Sequence, residues 1–542
     1  MPPLLAILEA VRRAGIWRGA GGGLAAVWLG LGGGLQAGAT EGGGTSVDLF
    51  ADKPVWEVQL QIAAADIQQL RTNARAYVSA TVRAGQRTYP QVGIHLKGTG
   101  SFRGLDDKPG WTLDFGRFVP GGQLGGVRKI HLNNSVEDGS FLKEQIGGEL
   151  FRAAGVPAPR VAHARVALNG RPLGLYVVKE GFTREFLERH FPPAAGNLYD
   201  THLGHDLGQV LRRHSGQEPG DPQQPLRALA AAAAEPVATA RWQALQRTLA
   251  VDEFLSFMAM EILLDHWDGY CLGRNNFLVY HDPGAGQLFF LPTGMDQLFG
   301  KADLDWRPGM SGTVARAILE TPEGRALYQA RFRALLGSVF NAGRIRQRIG
   351  QRLAELRPFL AGAEYEAIRQ ETDQMSRQIA ARENWLRTQL DQPEPAAVEF
   401  QANRARLTGW KVADAPASGS VQAVAHPRGR PALSIQAGPR TSASWRAAAE
   451  LGPGRYRFEG EVMVAGVKPL PFGKRQGASL RLAGRPASSV GLVGDCPWQM
   501  LRADFEVGAA GEKIEFVCEL RAAGGEAWFD QASLTVCRLS EP

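Results

Sequence analysis

The apolar residues of this chain change period twice, and that change restricts the folds open to it more than any other feature. From 55 to 180 they alternate at period two, from 183 to 390 they recur at helical spacing, and beyond 403 they alternate again. A β-rich part, a helix-rich part and a second β-rich part therefore follow one another. A chain of 542 residues has room for each to bury its own core.

In the first part, 55–62, 76–82, 91–96, 111–115 and 129–132 read as strands. A helix is expected over 139–154, with Phe141, Ile146, Leu150 and Phe151 on one face. Strands 165–168 and 173–179 flank Asn169-Gly170, a pair suited to a two-residue hairpin turn. Helices are then expected at 183–190, 224–234, 239–248, 251–264, 313–319, 322–337, 343–357 and 361–390, interrupted by two short apolar strands at 277–280 and 288–291. Pro393, Pro395, Ala396 and Ala397 mark a linker over 393–402. Beyond it, alternating runs at 455–464, 478–482, 500–507, 513–520 and 527–539, separated by Gly-rich turns, predict an antiparallel β-sandwich over 403–542.

Arg12, Arg13 and Arg18 precede an apolar Gly-rich stretch at 19–34 that ends in Ala37-Gly38-Ala39. This is the pattern of a signal peptide, expected over 1–39 and followed by a Gly/Thr-rich linker over 40–53. Export to the periplasm, cell surface or medium follows, and would permit a disulfide among Cys496, Cys518 and Cys537; Cys271 reads as a packed thiol. No cysteine spacing resembles a zinc site. The net charge of +7 is spread without a Lys/Arg run, so a nucleic-acid partner is not expected.

The chemistry-bearing residues concentrate between Asp265 and Gly300. An aliphatic helix ends at Asp265-His266-Trp267-Asp268-Gly269, a loop leads to Asn275-Asn276 and the first apolar strand, and the second strand runs into Pro292-Thr293-Gly294-Met295-Asp296-Gln297-Leu298-Phe299-Gly300. An acid and an amide at one end of a hairpin thus face a second acid just past its other strand. Phosphoryl transfer needs a carboxylate to orient an acceptor hydroxyl and take its proton, and hard oxygen donors for magnesium. Asp268, Asn276 and Asp296 meet that need, although solvated loop acids and caps account for the same spacing. A Lys paired with a helix Glu would position phosphates: Glu144 lies on the right kind of helix, with Lys97 and Lys108 both candidate partners. The Gly-rich loop 98–104 is able to approach phosphates closely, a plain β-turn being an equally available reading. His131, His163 and the His205-Asp206 pair read as strand residues and a helix start.

These stretches resemble the CotH kinase family of spore-coat proteins. The resemblance is carried by Lys97-Gly98-Thr99-Gly100-Ser101-Phe102-Arg103, by Lys108-Pro109-Gly110-Trp111, by Asn169-Gly170 with Gly174, Tyr176 and Glu180, and by Gly196-Asn197-Leu198-Tyr199. Further along, His266-Trp267-Asp268-Gly269, Asn276-Phe277 and the run Pro292 to Gly300 continue it in order. It implies a two-lobed atypical protein-kinase-like fold over 54–392, of α+β class, that transfers the γ-phosphoryl of ATP to Ser or Thr of exported proteins with Mg2+ or Mn2+. By position, Asp268 resembles the catalytic aspartate and Asn276 and Asp296 the metal ligands. Lys97, Ser101, Arg103, Lys108 and Glu144 fall in the ATP-binding elements, and Glu180 falls beside the adenine. Gly294 departs from the pattern, standing where relatives carry the first Asp of an Asp-x-Asp element. A catalytically inactive pseudokinase scaffold that binds surface protein or glycan is the alternative. The C-terminal part resembles carbohydrate-binding β-sandwiches, with Trp410, Trp445 and Trp498 as candidate platforms for a polysaccharide; packed core tryptophans are the default reading of all three, and a structural or protein-docking module is the alternative.

Overall fold

The computed structural model describes residues 48–51, 55–201, 203–390, 398–416, 418–425, 429–470, 476–507 and 512–539. The expected signal segment 1–39, most of the linker 40–53 and the Pro/Ala stretch of the linker 393–402 lie outside the described residues.

Seven strands close into a barrel: β1 (Val55–Ile62), β2 (Val78–Ala84), β3 (Arg87–Lys97), β4 (Gly110–Asp114), β5 (Lys129–Asn133), β6 (Val161–Leu168) and β7 (Arg171–Glu180). Their order is β1-β2-β3-β4-β5-β7-β6, antiparallel throughout except where β6 closes onto β1. Closure leaves no free edge. In β1 the alternation expected from sequence appears as alternating burial, with Val58, Leu60 and Ile62 inside. Trp111, Leu113 and Ile94 fill the same core. Asn169 and Gly170 turn β6 into β7, both at positive φ.

Between β5 and β6 lies the helix Lys143–Ala153. It begins four residues later than the sequence pattern suggests, because Phe141 takes a left-handed φ of 59°. Asp138 and Ser140 organise that turn. The Asp138 carboxylate accepts from Ser140 N and Lys143 N, each at 3.0 Å, and Ser140 Oγ accepts from Leu142 N. Within the helix, a Cβ on Gly147 would lie 2.5 Å from Leu298 Cδ1. The glycine lowers helix propensity but lets this helix sit directly on the 295–298 segment.

The helix-rich part is assembled around Val251–Leu263, which from Phe254 onward is buried on every side. Such a helix belongs to the centre of a core. The remaining long helices, Gln224–Ala234, Ala238–Thr248, Thr313–Leu319, Pro322–Ser338, Ala342–Leu356 and Gly362–Leu390, fall within a residue of the expected spans. The strands β8 (Leu198–Asp200), too short to show an alternation, and β9 (Arg212–Ser215), too polar to show one, join β10 (Phe277–Asp282) and β11 (Gln287–Pro292) in a sheet ordered β11-β10-β8-β9. Among the described residues no helix is long and apolar enough to cross a membrane.

The described residues between 398 and 539 form two antiparallel sheets, one of seven strands and one of four, around a core that includes Phe458, Phe516, Leu480 and Phe529. Strands expected as one unit at 527–539 are two, Gly524–Asp530 and Thr535–Leu539. Asp530 breaks the run: its carboxylate accepts from Ala532 N and its carbonyl from Ser533 Oγ. The polar strands Arg404–Arg406, Lys411–Asp414 and Gly419–Ala425, together with Pro431–Ala437 and Thr441–Leu451, escape the sequence pattern. All four cysteines are free, and the disulfide that export would permit is not formed; Cys518 is packed in the sandwich core. Trp445 is also buried there, and Trp410 stacks on Phe458, so the first is not a sugar platform.

Candidate functional site

Two chain segments meet where the Glu144 helix, the end of β7 and the start and end of the β10–β11 hairpin converge. The first segment, 264–276, leaves the buried helix in a left-handed turn at Asp265, φ 51°. Glu261 stands fully buried one turn back and accepts from Tyr270 N at 2.9 Å and Cys271 N at 2.7 Å. His266 donates from Nε2 to Gly294 O at 3.2 Å, and its Nδ1 lies 3.5 Å from Glu261. Burial works against a charge on His266, but the carboxylate of Glu261 outweighs it and moves its pKa up. His266 therefore links the end of the buried helix to the segment beyond β11.

Asp268 and Asn276 are joined directly. Asp268 Oδ2 accepts from the side-chain amides of Asn275 at 2.9 Å and Asn276 at 2.8 Å. With its nitrogen so committed, Asn276 turns its Oδ1 toward Gly294. A Cβ on Gly294, whose φ is 59°, would lie 2.3 Å from that oxygen. Arg274, Asn276 and Phe299 also hold positive φ. Backbone in this region is costly for residues other than glycine, and its clustering here marks a constrained site.

Asp296 follows two residues after Gly294. Burial, then the neighbouring carboxylates of Glu144 and Glu137, raise its pKa to about 6. Glu144 is paired with Lys179 of β7, both being buried, and its Oε2 accepts from Met295 N at 3.0 Å. Lys179 also donates to Thr293 Oγ1 at 2.8 Å. The partner of Glu144 is thus Lys179, and neither Lys97 nor Lys108 occupies that place. Lys97 is nonetheless close by. It donates to Asn133 Oδ1, and desolvation followed by repulsion from Lys179 brings its pKa down to about 8, against the pull of Glu144 and Asp296. Lys108 stands apart, with its ammonium over the rings of Phe141 at 4.7 Å and Tyr176 at 5.1 Å.

The loop 98–104 lies beside this group. A Cβ on Gly98, at φ 104°, would meet Phe102 N at 2.9 Å, and one on Gly100 would meet Glu137 Oε1 at 3.1 Å. Arg75 fixes the loop's entry by donating to Leu96 O and Gly98 O. Ser101 holds Asn134 through its carbonyl, while Arg103 turns outward to Asp107 at 3.7 Å. Glu180 has no free carboxylate to offer a nucleotide, because Arg160 and Arg189 take up both oxygens.

Two groups therefore form, Asp268 with Asn276 and Lys97 with Glu144 and Asp296, and they meet at Thr293, whose N donates to Asn276 O at 3.0 Å and whose hydroxyl accepts from Lys179; Lys108, Arg103 and the Glu180 carboxylate belong to neither. Lys179, Thr293 and Glu137 complete the site and were not singled out from sequence. A lysine closing the otherwise apolar run Val177-Val178 was the available signal for the first of them. Among the described residues, no three His, Cys, Asp or Glu side chains are placed to hold a metal ion by themselves. One crowded carboxylate and one amide oxygen suit a magnesium ion, which keeps waters and takes further oxygens from phosphates.

A family profile described as CotH kinase protein matches residues 94–392, more than half of the chain. Similar proteins include Invasin CotH2 of Rhizopus delemar, 27% identical over 198 residues, which are 33% of this chain and 33% of that protein. Inner spore coat protein H of Bacillus subtilis is 21% identical over 295 residues, covering 49% of this chain and 79% of that protein. The chain thus spans about a third of the length of the first of these relatives. Among solved structures, the Helicobacter pylori proinflammatory kinase CtkA is 7% identical, covering 54% of this chain and 95% of its own, at a TM-score of 0.26. TmCBM61, solved with β-1,4-galactotriose, is 18% identical over 25% of this chain and 91% of its own, at a TM-score of 0.19. Scores this low set no fold by themselves. By its family profile, the chain belongs to the CotH kinase protein family.

Proposed function

We propose that residues 54–392 form a two-lobed atypical protein kinase that transfers the γ-phosphoryl of ATP to a Ser or Thr hydroxyl of an exported protein. The observation that carries this reading is the Asp268–Asn276 hydrogen bond, with Asn276 bound in turn to Thr293 N and lying against Gly294, two residues before Asp296, beside the Lys179–Glu144 pair. The barrel supplies Lys97 and Lys179, and the helix-rich part supplies Asp268, Asn276 and Asp296. Asn275 and Asn276 hold one oxygen of Asp268, which leaves the other to orient the acceptor hydroxyl and take its proton. The hydroxyl oxygen then bonds to the γ-phosphorus as ADP leaves. Lys179, fixed by Glu144 and Thr293, and Lys97 offset the charge of the phosphates. Asn276 and Asp296 are the residues that would hold Mg2+, which, when bound, neutralises charge on the transferred group. Export to a cell surface or spore-like layer suits the names of the relatives and the Arg-led N-terminal pattern.

Transfer of label from γ-labelled ATP with Mg2+ to Ser/Thr-rich acceptor proteins tests the proposal. Absence of transfer, together with no thermal shift on adding Mg-ATP, would favour the scaffold reading that Gly294 first suggested. Gly294 is not simply a missing ligand, because the Asn276 side chain fills the space beside it. Gly294→Asp is expected to lower stability by about 1–3 kcal/mol and to weaken Mg2+ binding by displacing Asn276. Tighter Mg2+ binding at unchanged melting temperature would contradict this.

Metal binding also carries a pH signature. A carboxyl whose folded pKa is raised to about 6 holds its proton through the range in which an ordinary Asp has lost it. Mg2+ must displace that proton, so affinity should fall about tenfold per pH unit below 6 and level off above it. Calorimetric titration between pH 5 and 8 reads this, and a flat profile across that range would remove Asp296 from the metal site.

A further inference from the structure

The stretch 301–312 runs from the Phe299-Gly300 end of the site back to the Asp268 loop, and the C-terminal sandwich grips it. At its start, Lys301 N donates to Asp265. At its end, Ser311 N and Gly312 N donate to Cys271 O at 2.7 and 3.2 Å, three residues beyond Asp268. Buried Arg382 fixes the first turn through the carbonyls of Ala302 and Leu304. Trp306 stacks on Tyr328, whose hydroxyl donates to Trp306 O at 2.8 Å. The stretch is thus a strap tying the Asp296 side of the site to the Asp268 side.

Three contacts then join the strap to the sandwich. Lys513 Nζ meets Asp305 Oδ2 at 2.7 Å. Arg307 Nη2 meets Glu450 Oε1 at 2.8 Å, and Arg325 of the following helix lies 4.0 Å from the same carboxylate. Gly309 packs backbone to backbone on Gly484, where a Cβ would come within 3.0 Å of Gly309 Cα. Arg307 and Glu450 are both largely withdrawn from solvent, with side-chain exposures of 7% and 19%, so their charges are little screened. Nothing in an independent sugar-binding module requires its strands to hold a strap of the neighbouring domain by paired charges.

We infer that the C-terminal sandwich is a built-in brace for the transfer site, with Glu450 and Lys513 acting as positioning residues through the 301–312 strap. The inference rests on the function proposed above only for its effect on turnover. The brace itself is a statement about the strap's local stability.

The test compares the full chain with Glu450→Gln, Lys513→Glu, and the exchanged pair Asp305→Lys with Lys513→Glu. Amide hydrogen exchange is followed in 301–312, with strand Gly454–Lys468 as the control for intact sandwich folding. Kinetics of transfer from ATP are measured in parallel. Either single variant should speed exchange in the strap by at least about tenfold and cut kcat by a similar factor, with KM for ATP little changed. The exchanged pair should restore both. Unchanged exchange in the strap of both single variants would overturn the brace, as would a loosened strap at undiminished kcat. If the unaltered chain transfers nothing, the kinase reading fails on its own and exchange alone decides the brace.

Discussion

Asp268→Asn should lower phosphoryl transfer by about 100–10,000-fold, the span usually lost with a general base, and should leave the fold intact. The reason lies in how the carboxylate is held. One oxygen, Oδ2, accepts both the Asn275 and the Asn276 amides. An Asn side chain can place its carbonyl oxygen in that position, keep both hydrogen bonds and present an amide nitrogen where the proton acceptor stood. Asp268→Ala removes more: it leaves two amides without their acceptor and frees Asn276 to rotate. The Asn variant therefore isolates the chemistry, and the Ala variant adds a loss of Mg2+ affinity. A matched melting temperature with transfer reduced as stated supports the assignment. Near-normal transfer by Asp268→Asn would end it.

Lys179→Met is expected to act on stability as strongly as on function. It strands the Glu144 carboxylate, 2% exposed, beside Asp296 and with only Met295 N left to it. Breaking one half of a buried ion pair typically costs about 3–5 kcal/mol. The double variant Lys179→Met with Glu144→Leu removes both charges and should recover most of that stability, because the site no longer buries an unpaired carboxylate. It should not recover the thermal shift produced by Mg-ATP, since the cation proposed to face the phosphates is gone. Denaturant unfolding and thermal shift with and without Mg-ATP separate the two effects. A double variant that regains the nucleotide response would show that the pair serves the fold alone.

The parts of the molecule legible in its sequence are those whose physics is local. Alternation in Val55–Ile62, the Asn169-Gly170 turn and the long amphipathic helices are each fixed by neighbours in sequence, and they stand where periodicity placed them. The Asp268–Asn276 contact falls in the same class, since eight residues separate the two. What escaped depends on distant partners. Lys179 finds Glu144 only because the end of β7 comes up to the helix that precedes β6 in the chain, and Lys97, at the end of β3, and Lys108, just before β4, carry the same charge. Sequence alone had no means to choose among the three. Glu180 falls where a ligand-bordering residue is expected, but Arg160, just before the neighbouring strand β6, and Arg189, on the helix Arg184–His190, claim its carboxylate. The strand β8 is too short and β9 too polar to announce itself, and they become strands by pairing, β8 with β10 and β9 with β8. Gly294 read as a lost ligand, whereas its positive φ and the Asn276 oxygen beside it make glycine the residue that fits.

The most direct measurement is a crystal structure of the chain grown with Mn2+ and a non-hydrolysable ATP analogue, with the anomalous signal of manganese recorded. A manganese peak should appear within about 2.0–2.3 Å of Asn276 Oδ1 and of an Asp296 oxygen, with the terminal phosphate between it and Asp268 and with Lys179 still paired to Glu144. Nucleotide bound elsewhere, or manganese with neither Asn276 nor Asp296 among its ligands, would contradict the account.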